Sequence, residues 1–120
     1  MKTNSFKDLI VWQKSMKLVN SCYDLTRKLP DIEKFGLVSQ MNRCAVSIPS
    51  NIAEGYRRNG KKEYLQFCSI ALGSAAELET QLLIVKHNYS DVSCETALEL
   101  TTEVQKMLYA LIKKLQLTSR

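Results

Sequence analysis

Apolar residues recur at steps of three and four along most of the chain, the spacing that places side chains on one face of an α-helix. From Asp8 to Lys28 the recurring positions are Leu9, Trp12, Met16, Val19 and Tyr23, and Leu29-Pro30 ends the run. A second run, Glu33 to about Arg57, puts Leu37, Met41, Cys44, Ile48 and Ile52 on one face. Pro49 inside it removes a backbone donor, which predicts a kink; the alternative is a break in which Ser47 or Ser50 caps a new helix. After the turn signal Asn59-Gly60, the residues Tyr64, Phe67, Ala71, Ala75, Leu78, Leu82, Val85 and Tyr89 form the clearest seam. From about Ser93 to Gln116, Ala97, Thr101, Val104, Leu108, Leu111 and Leu115 repeat the rhythm. No stretch alternates apolar and polar positions between turn signals, so no strand is expected. Four helices with short connections predict an all-α fold, an antiparallel up-down four-helix bundle.

Composition narrows this to a single domain. A chain of 120 residues buries about two-thirds of its unfolded surface and folds without staples. No apolar run approaches the roughly 20 residues that span a bilayer. The opening "MKTNSFKDLIVWQK" lacks the apolar core of a signal peptide, so a cytoplasmic location without membrane attachment is expected. Cys22, Cys44, Cys68 and Cys94 are far apart and include no C-x-x-C pair, which argues against zinc and a redox dithiol and for reduced thiols acting as small hydrophobes.

Charge is unevenly spread. The net charge is +5, but residues 1–62 hold 12 Lys and Arg against 5 Asp and Glu, whereas residues 63–120 hold 5 against 7. The densest cluster is Arg57, Arg58, Lys61 and Lys62, either an attractor of phosphates or a solvated turn.

That cluster lies in "GYRRNGKK", residues 55–62, which spells most of a phosphate-binding G-x-x-x-x-G-K-[ST] loop. Lys62 stands where a Ser or Thr hydroxyl would reach magnesium, and a helix precedes the loop where the motif needs a strand. The stretch therefore reads as helix end, turn and helix start. No other enzyme chemistry finds a foothold: the one histidine, His87, has Ile84 three positions before it, so the E-x-x-H pair of di-iron bundles is missing. Glu77 and Glu79 are about 200° apart around their helix and cannot converge on one substrate. No catalytic residue, metal or cofactor is expected.

One polar pattern remains. Gln40, Arg43, Ser47, Asn51 and Glu54 recur at three-four steps beside the apolar face of the second helix. They form either an interaction surface or an internal network in which Arg43 pairs with Glu54, Glu77 or Glu79. Val46, Tyr56 and Ile112 are apolar or aromatic residues that fall outside the seams.

The stretches "VWQK" (11–14), "EKFGL" (33–37), "QMNR" (40–43), "SIPSNIAEG" (47–55) and "IALGSAAELE" (70–79) together resemble the four helix bundle proteins of the 23S rRNA intervening-sequence family, in order and over nearly the whole chain. The resemblance implies an intracellular bacterial protein, often a homopentamer, encoded within insertions in ribosomal RNA genes and elsewhere. It is also similar to the accessory variability protein of diversity-generating retroelements, a basic pentamer that binds nucleic acid and a reverse transcriptase. The family motif falls on Gln40, Arg43, Ser47, Asn51, Glu54 and Gly55, and brings no catalytic assignment with it. The resulting expectation is a non-enzymatic homo-oligomer that binds RNA or DNA through backbone phosphates, using Arg57, Arg58, Lys61 and Lys62, with Arg43 a candidate. The alternative is an adaptor or scaffold whose partner is another protein.

Overall fold

A computed structural model describes residues 5–117. Four α-helices account for nearly all of them: α1 (Ile10–Thr26), α2 (Leu37–Arg57), α3 (Lys61–Asn88) and α4 (Glu95–Leu117), with 3₁₀ turns at Phe6–Asp8 and Asp31–Glu33. Among the described residues there is no strand. Each helix packs on the next and α1 closes on α4, so α1 and α3 lie on one diagonal and α2 and α4 on the other. The result is the expected up-down bundle, 48 Å long and 23 by 19 Å across.

Its core follows the seams of α2, α3 and α4. Met41, Ile48, Ile52, Leu78, Leu82, Val104 and Leu108 have no exposed surface. Burying one such side chain contributes about 1.5–3 kcal/mol. Thr101 joins them because its hydroxyl donates to the Ala97 carbonyl across 2.6 Å.

Two expectations are corrected and one alternative is excluded. In α1 the buried positions are Val11, Ser15, Leu18, Cys22, Leu25 and Thr26, so the core face is rotated by one residue, about 100°, from Leu9, Trp12, Met16, Val19 and Tyr23. Ser15 disguised the true stripe: its hydroxyl donates to the Val11 carbonyl across 2.7 Å, which lets a polar residue sit in the core.

The second correction concerns the start of α2. The helix begins at Leu37, not Glu33, because Asp31–Glu33 forms a separate 3₁₀ turn. Glu33 instead reaches forward, and its Oε1 accepts from the Leu37 backbone N–H across 3.3 Å.

At Pro49 the alternative of a break is excluded, since α2 runs through it from Leu37 to Arg57. Ser47 and Ser50 cap nothing; their hydroxyls donate to the carbonyls of Cys44 and Val46, at 2.9 and 2.8 Å, inside the continuous helix. An internal proline costs about 3 kcal/mol, but a break would separate Ile48 and Ile52, both fully buried, whose burial together offsets that cost.

Candidate functional site

The antiparallel course has an electrostatic consequence. α2 ends at Arg57 and α3 starts at Lys61, so the start of α1 and the end of α4 come to the same end of the bundle. Lys7 of the first 3₁₀ turn and Lys113 and Lys114 of the last turns of α4 thereby join Arg57, Arg58, Lys61 and Lys62, against Asp8, Glu54 and Glu63. The opposite end carries Asp24, Asp31, Glu33, Asp91 and Glu95 among its basic residues. The bundle is therefore basic at one end only, an arrangement that focuses a positive potential there.

Within the turn the residues have unequal freedom. Arg58 pairs with Glu54 across 2.6 Å and lies 5.2 Å from the Phe67 ring centre. Arg57 lies 5.7 Å from the ring centre of Phe6, which itself packs edge-on against Trp12 at 5.4 Å. Both arginines thus also hold the turn to the bundle. Lys62, Lys113 and Lys114 are exposed. Arg43, grouped with the turn as a candidate, stands fourteen residues before Arg57 on α2, about 21 Å along the axis at 1.5 Å per residue, and is not part of this end.

The polar stripe divides into two parts. The Ser47 and Ser74 hydroxyls are hydrogen-bonded to each other across 2.6 Å, with Ser74 the donor because Ser47 gives its hydrogen to Cys44, Asn51 donates to the Ser47 carbonyl across 2.7 Å, and Glu54 is taken by Arg58. These residues bind α2 to itself and to α3. Gly55 completes the seam, because a Cβ there would come within 2.7 Å of the Phe67 Cβ and 3.2 Å of the Tyr64 ring. Gln40 and Arg43 instead line an open groove of about 440 Å³ with Ser39, Cys44, Ser47, Ser74 and Glu77. The expected internal pairing of Arg43 is corrected: Glu54 is bound by Arg58, Glu79 accepts from Gln105 across 3.0 Å, and Arg43 has no ion pair within 4.0 Å to a described residue.

All four cysteines are free and buried. Burial pushes the thiols of Cys22 and Cys44 up to about 12, with the neighbouring Glu77 carboxylate adding to the effect at Cys44, and raises Cys68 to about 11. Such groups are protonated near neutrality and are poor nucleophiles. Cys44 spends its hydrogen on the Ser74 carbonyl at 2.9 Å. Among the described residues no cluster of three or more His, Cys, Asp or Glu is placed to hold a metal ion.

Two of the three residues assigned outside the seams turn out to pack inside the chain: Tyr56 meets Tyr64 edge-on with ring centres 6.1 Å apart, and Ile112 lies against the core. Val46 is exposed. The basic residues Lys7, Lys113 and Lys114 were missed from sequence, since they are distant from the turn along the chain and meet it only when α1 and α4 run antiparallel to their neighbours.

The chain is a small four-helix bundle with one basic end, a polar α2–α3 groove and four buried thiols. A family model described as 23S rRNA-intervening sequence protein matches residues 7–110, which include α1, α2, α3 and most of α4, and the chain belongs to this family. Lys113 and Lys114 lie beyond the matched region. No curated protein matches the chain significantly.

Proposed function

We propose that this protein is a non-enzymatic, homo-oligomeric bundle of the bacterial cytoplasm that binds RNA or DNA through backbone phosphates at its basic end. The observation that carries the reading is the gathering of Lys7, the Arg57–Lys62 turn and Lys113–Lys114 at one end of the bundle. A ring, with a pentamer favoured by the family resemblance, would repeat that charge around one rim, as in the basic variability proteins of retroelements. Repetition matters because each phosphate contact is weak and sequence-blind.

The test replaces Lys62, Lys113 and Lys114 by Glu and measures single-stranded RNA affinity between about 50 and 200 mM salt. These side chains are chosen because Arg57 and Arg58 also have packing duties. The parent should lose affinity steeply with salt, at a log-log slope of about −0.7 per contact, and the variant should bind weakly with a flatter slope. Equal affinity and slope in a folded variant would remove the basic end as the binding site.

A second reading, a protein adaptor, draws on the other end of the bundle. Ile32 and Phe35 are 85% and 89% exposed there, on a turn held by backbone bonds Glu33 N–H to Pro30 O at 2.9 Å and Gly36 N–H to Glu33 O at 3.0 Å. Two large apolar side chains presented by an ordered turn suit a protein partner. A parent chain that binds no nucleic acid at low salt would favour this reading.

A further inference from the structure

α3 carries large apolar residues outside the core as well as inside it, among Gln66, Ser69 and Thr80. Its inward stripe fills the core, yet its outward face also carries Ile70, Leu83 and Ile84, at 46%, 48% and 42% exposure, with Gly73 and Ala76 between them. A helix that meets water on one side ordinarily turns charged residues that way, as α4 does with Glu99, Glu103 and Lys106. Gly73 has nothing within 4 Å of its would-be Cβ, which leaves a notch in the ridge where another helix can approach closely.

The complementary surface lies elsewhere. Trp12, Met16 and Val19 of α1, the stripe displaced from the core, form with Val46, Pro49 and Ala53 of α2 a shallow groove of about 310 Å³ without a charged residue in its lining. The exposed Tyr23, two turns after Met16 on the same stripe, extends it along α1. Because α3 lies diagonally opposite α1, a chain cannot seat its own ridge in its own groove.

We propose that the two surfaces are the two halves of one interface: the α3 ridge of one chain seats in the α1–α2 groove of a second copy. The inference rests on the homo-oligomeric reading above and specifies its geometry. Contact between two different patches is heterologous and propagates from chain to chain until a ring closes. A long side of the bundle, 48 by 23 Å, offers on the order of 1,000 Å², enough for the roughly 800 Å² per partner that a stable interface takes.

The test uses two variants. Val46→Glu spoils the groove and leaves the ridge; Ala76→Glu spoils the ridge and leaves the groove. Circular dichroism establishes that each is folded, and Met16→Glu with Ile70→Glu serve as a second pair. Light scattering should show an oligomeric parent, each variant alone at the 13.7 kDa chain mass, and their mixture at twice that mass and no more, since one good interface remains and neither outer patch can extend it. A parent that is itself monomeric would overturn both this inference and the homo-oligomeric reading. An oligomeric parent whose variants stay assembled, or dissociate and fail to pair on mixing, would overturn the ridge-in-groove contact alone.

Discussion

The Tyr89 hydroxyl donates to Glu33 Oε2 across 2.6 Å, joining positions 56 apart in the chain. The other oxygen of the same carboxylate accepts from the Leu37 N–H at 3.3 Å. One side chain therefore caps α2 and ties the α1–α2 connection to the end of α3. Gly36 fits beside it, where a Cβ would come within 3.2 Å of Glu33 Oε1. This arrangement accounts for "EKFGL" as a structural unit and orders the turn that displays Ile32 and Phe35.

Tyr89→Phe should lower the urea midpoint at neutral pH with the slope unchanged, because the donor is lost and the fold is not. The hydrogen bond to Glu33, with lesser help from desolvation and the carboxylate charge, raises the Tyr89 hydroxyl above its ordinary 10.0. A raised folded value means that the contribution is present below the unfolded pKa and is lost as pH climbs through the folded one. The difference between parent and variant should therefore shrink above about pH 10. A constant difference across that range would disprove the bond's role.

Gly55→Ala should destabilise the bundle. Alanine gains about 1 kcal/mol of helix propensity over glycine. Against this, its methyl would stand 2.7 Å from the Phe67 Cβ, an atom fixed to the α3 backbone, and overpacking of that kind costs about 1–3 kcal/mol. Urea unfolding decides; a midpoint at or above the parent's would mean that α2 and α3 part easily at this point.

The cysteines should be silent to a thiol reagent in the native protein near pH 8 and react quickly once it is unfolded, since only the thiolate attacks. Cys22 and Cys44 are held at about 12 and Cys68 at about 11. The same shifts carry a pH dependence. The unfolded chain loses these protons first, so stability is fully present below about pH 8.5 and declines as pH rises towards the folded values. Fast modification of the folded chain would contradict the burial.

ATP with magnesium should leave the melting temperature unchanged, although "GYRRNGKK" resembles a phosphate loop. Gly60 is the N-cap of α3 and α2 feeds the turn, so the loop amides are not arranged as a strand-to-helix cradle. A specific ligand at 100 times its Kd adds about 2.7 kcal/mol, which a melting curve resolves. A clear upward shift would revive nucleotide binding.

Much of this molecule is legible without coordinates because helix periodicity is local. Met41, Ile48 and Ile52, or Ala75, Leu78 and Leu82, declare their face by spacing alone, and no neighbour is needed to read it. α1 is where this reading failed. It has two adjoining apolar stripes, Val11–Leu18–Cys22–Leu25 and Trp12–Met16–Val19–Tyr23, and periodicity ranks them alike. Ser15 tipped the choice the wrong way, because its bond to the Val11 carbonyl is invisible in sequence.

By itself, then, the sequence determined four helices, their antiparallel order, the failure of the phosphate-loop motif and the family motif on α2. All of these depend on residues near one another along the chain or on short connections. Only the tertiary structure decided which stripe of α1 turns inward, since that depends on the surfaces α2 and α4 present to it. It also decided that Lys113 and Lys114 lie toward the same end of the bundle as a turn some fifty residues earlier, because distant stretches of chain come together only when antiparallel helices lie side by side. Finally, it decided that Arg43 does not pair with Glu54: Arg58, one turn further on, takes that carboxylate, and the separation of side chains in space selects the pair.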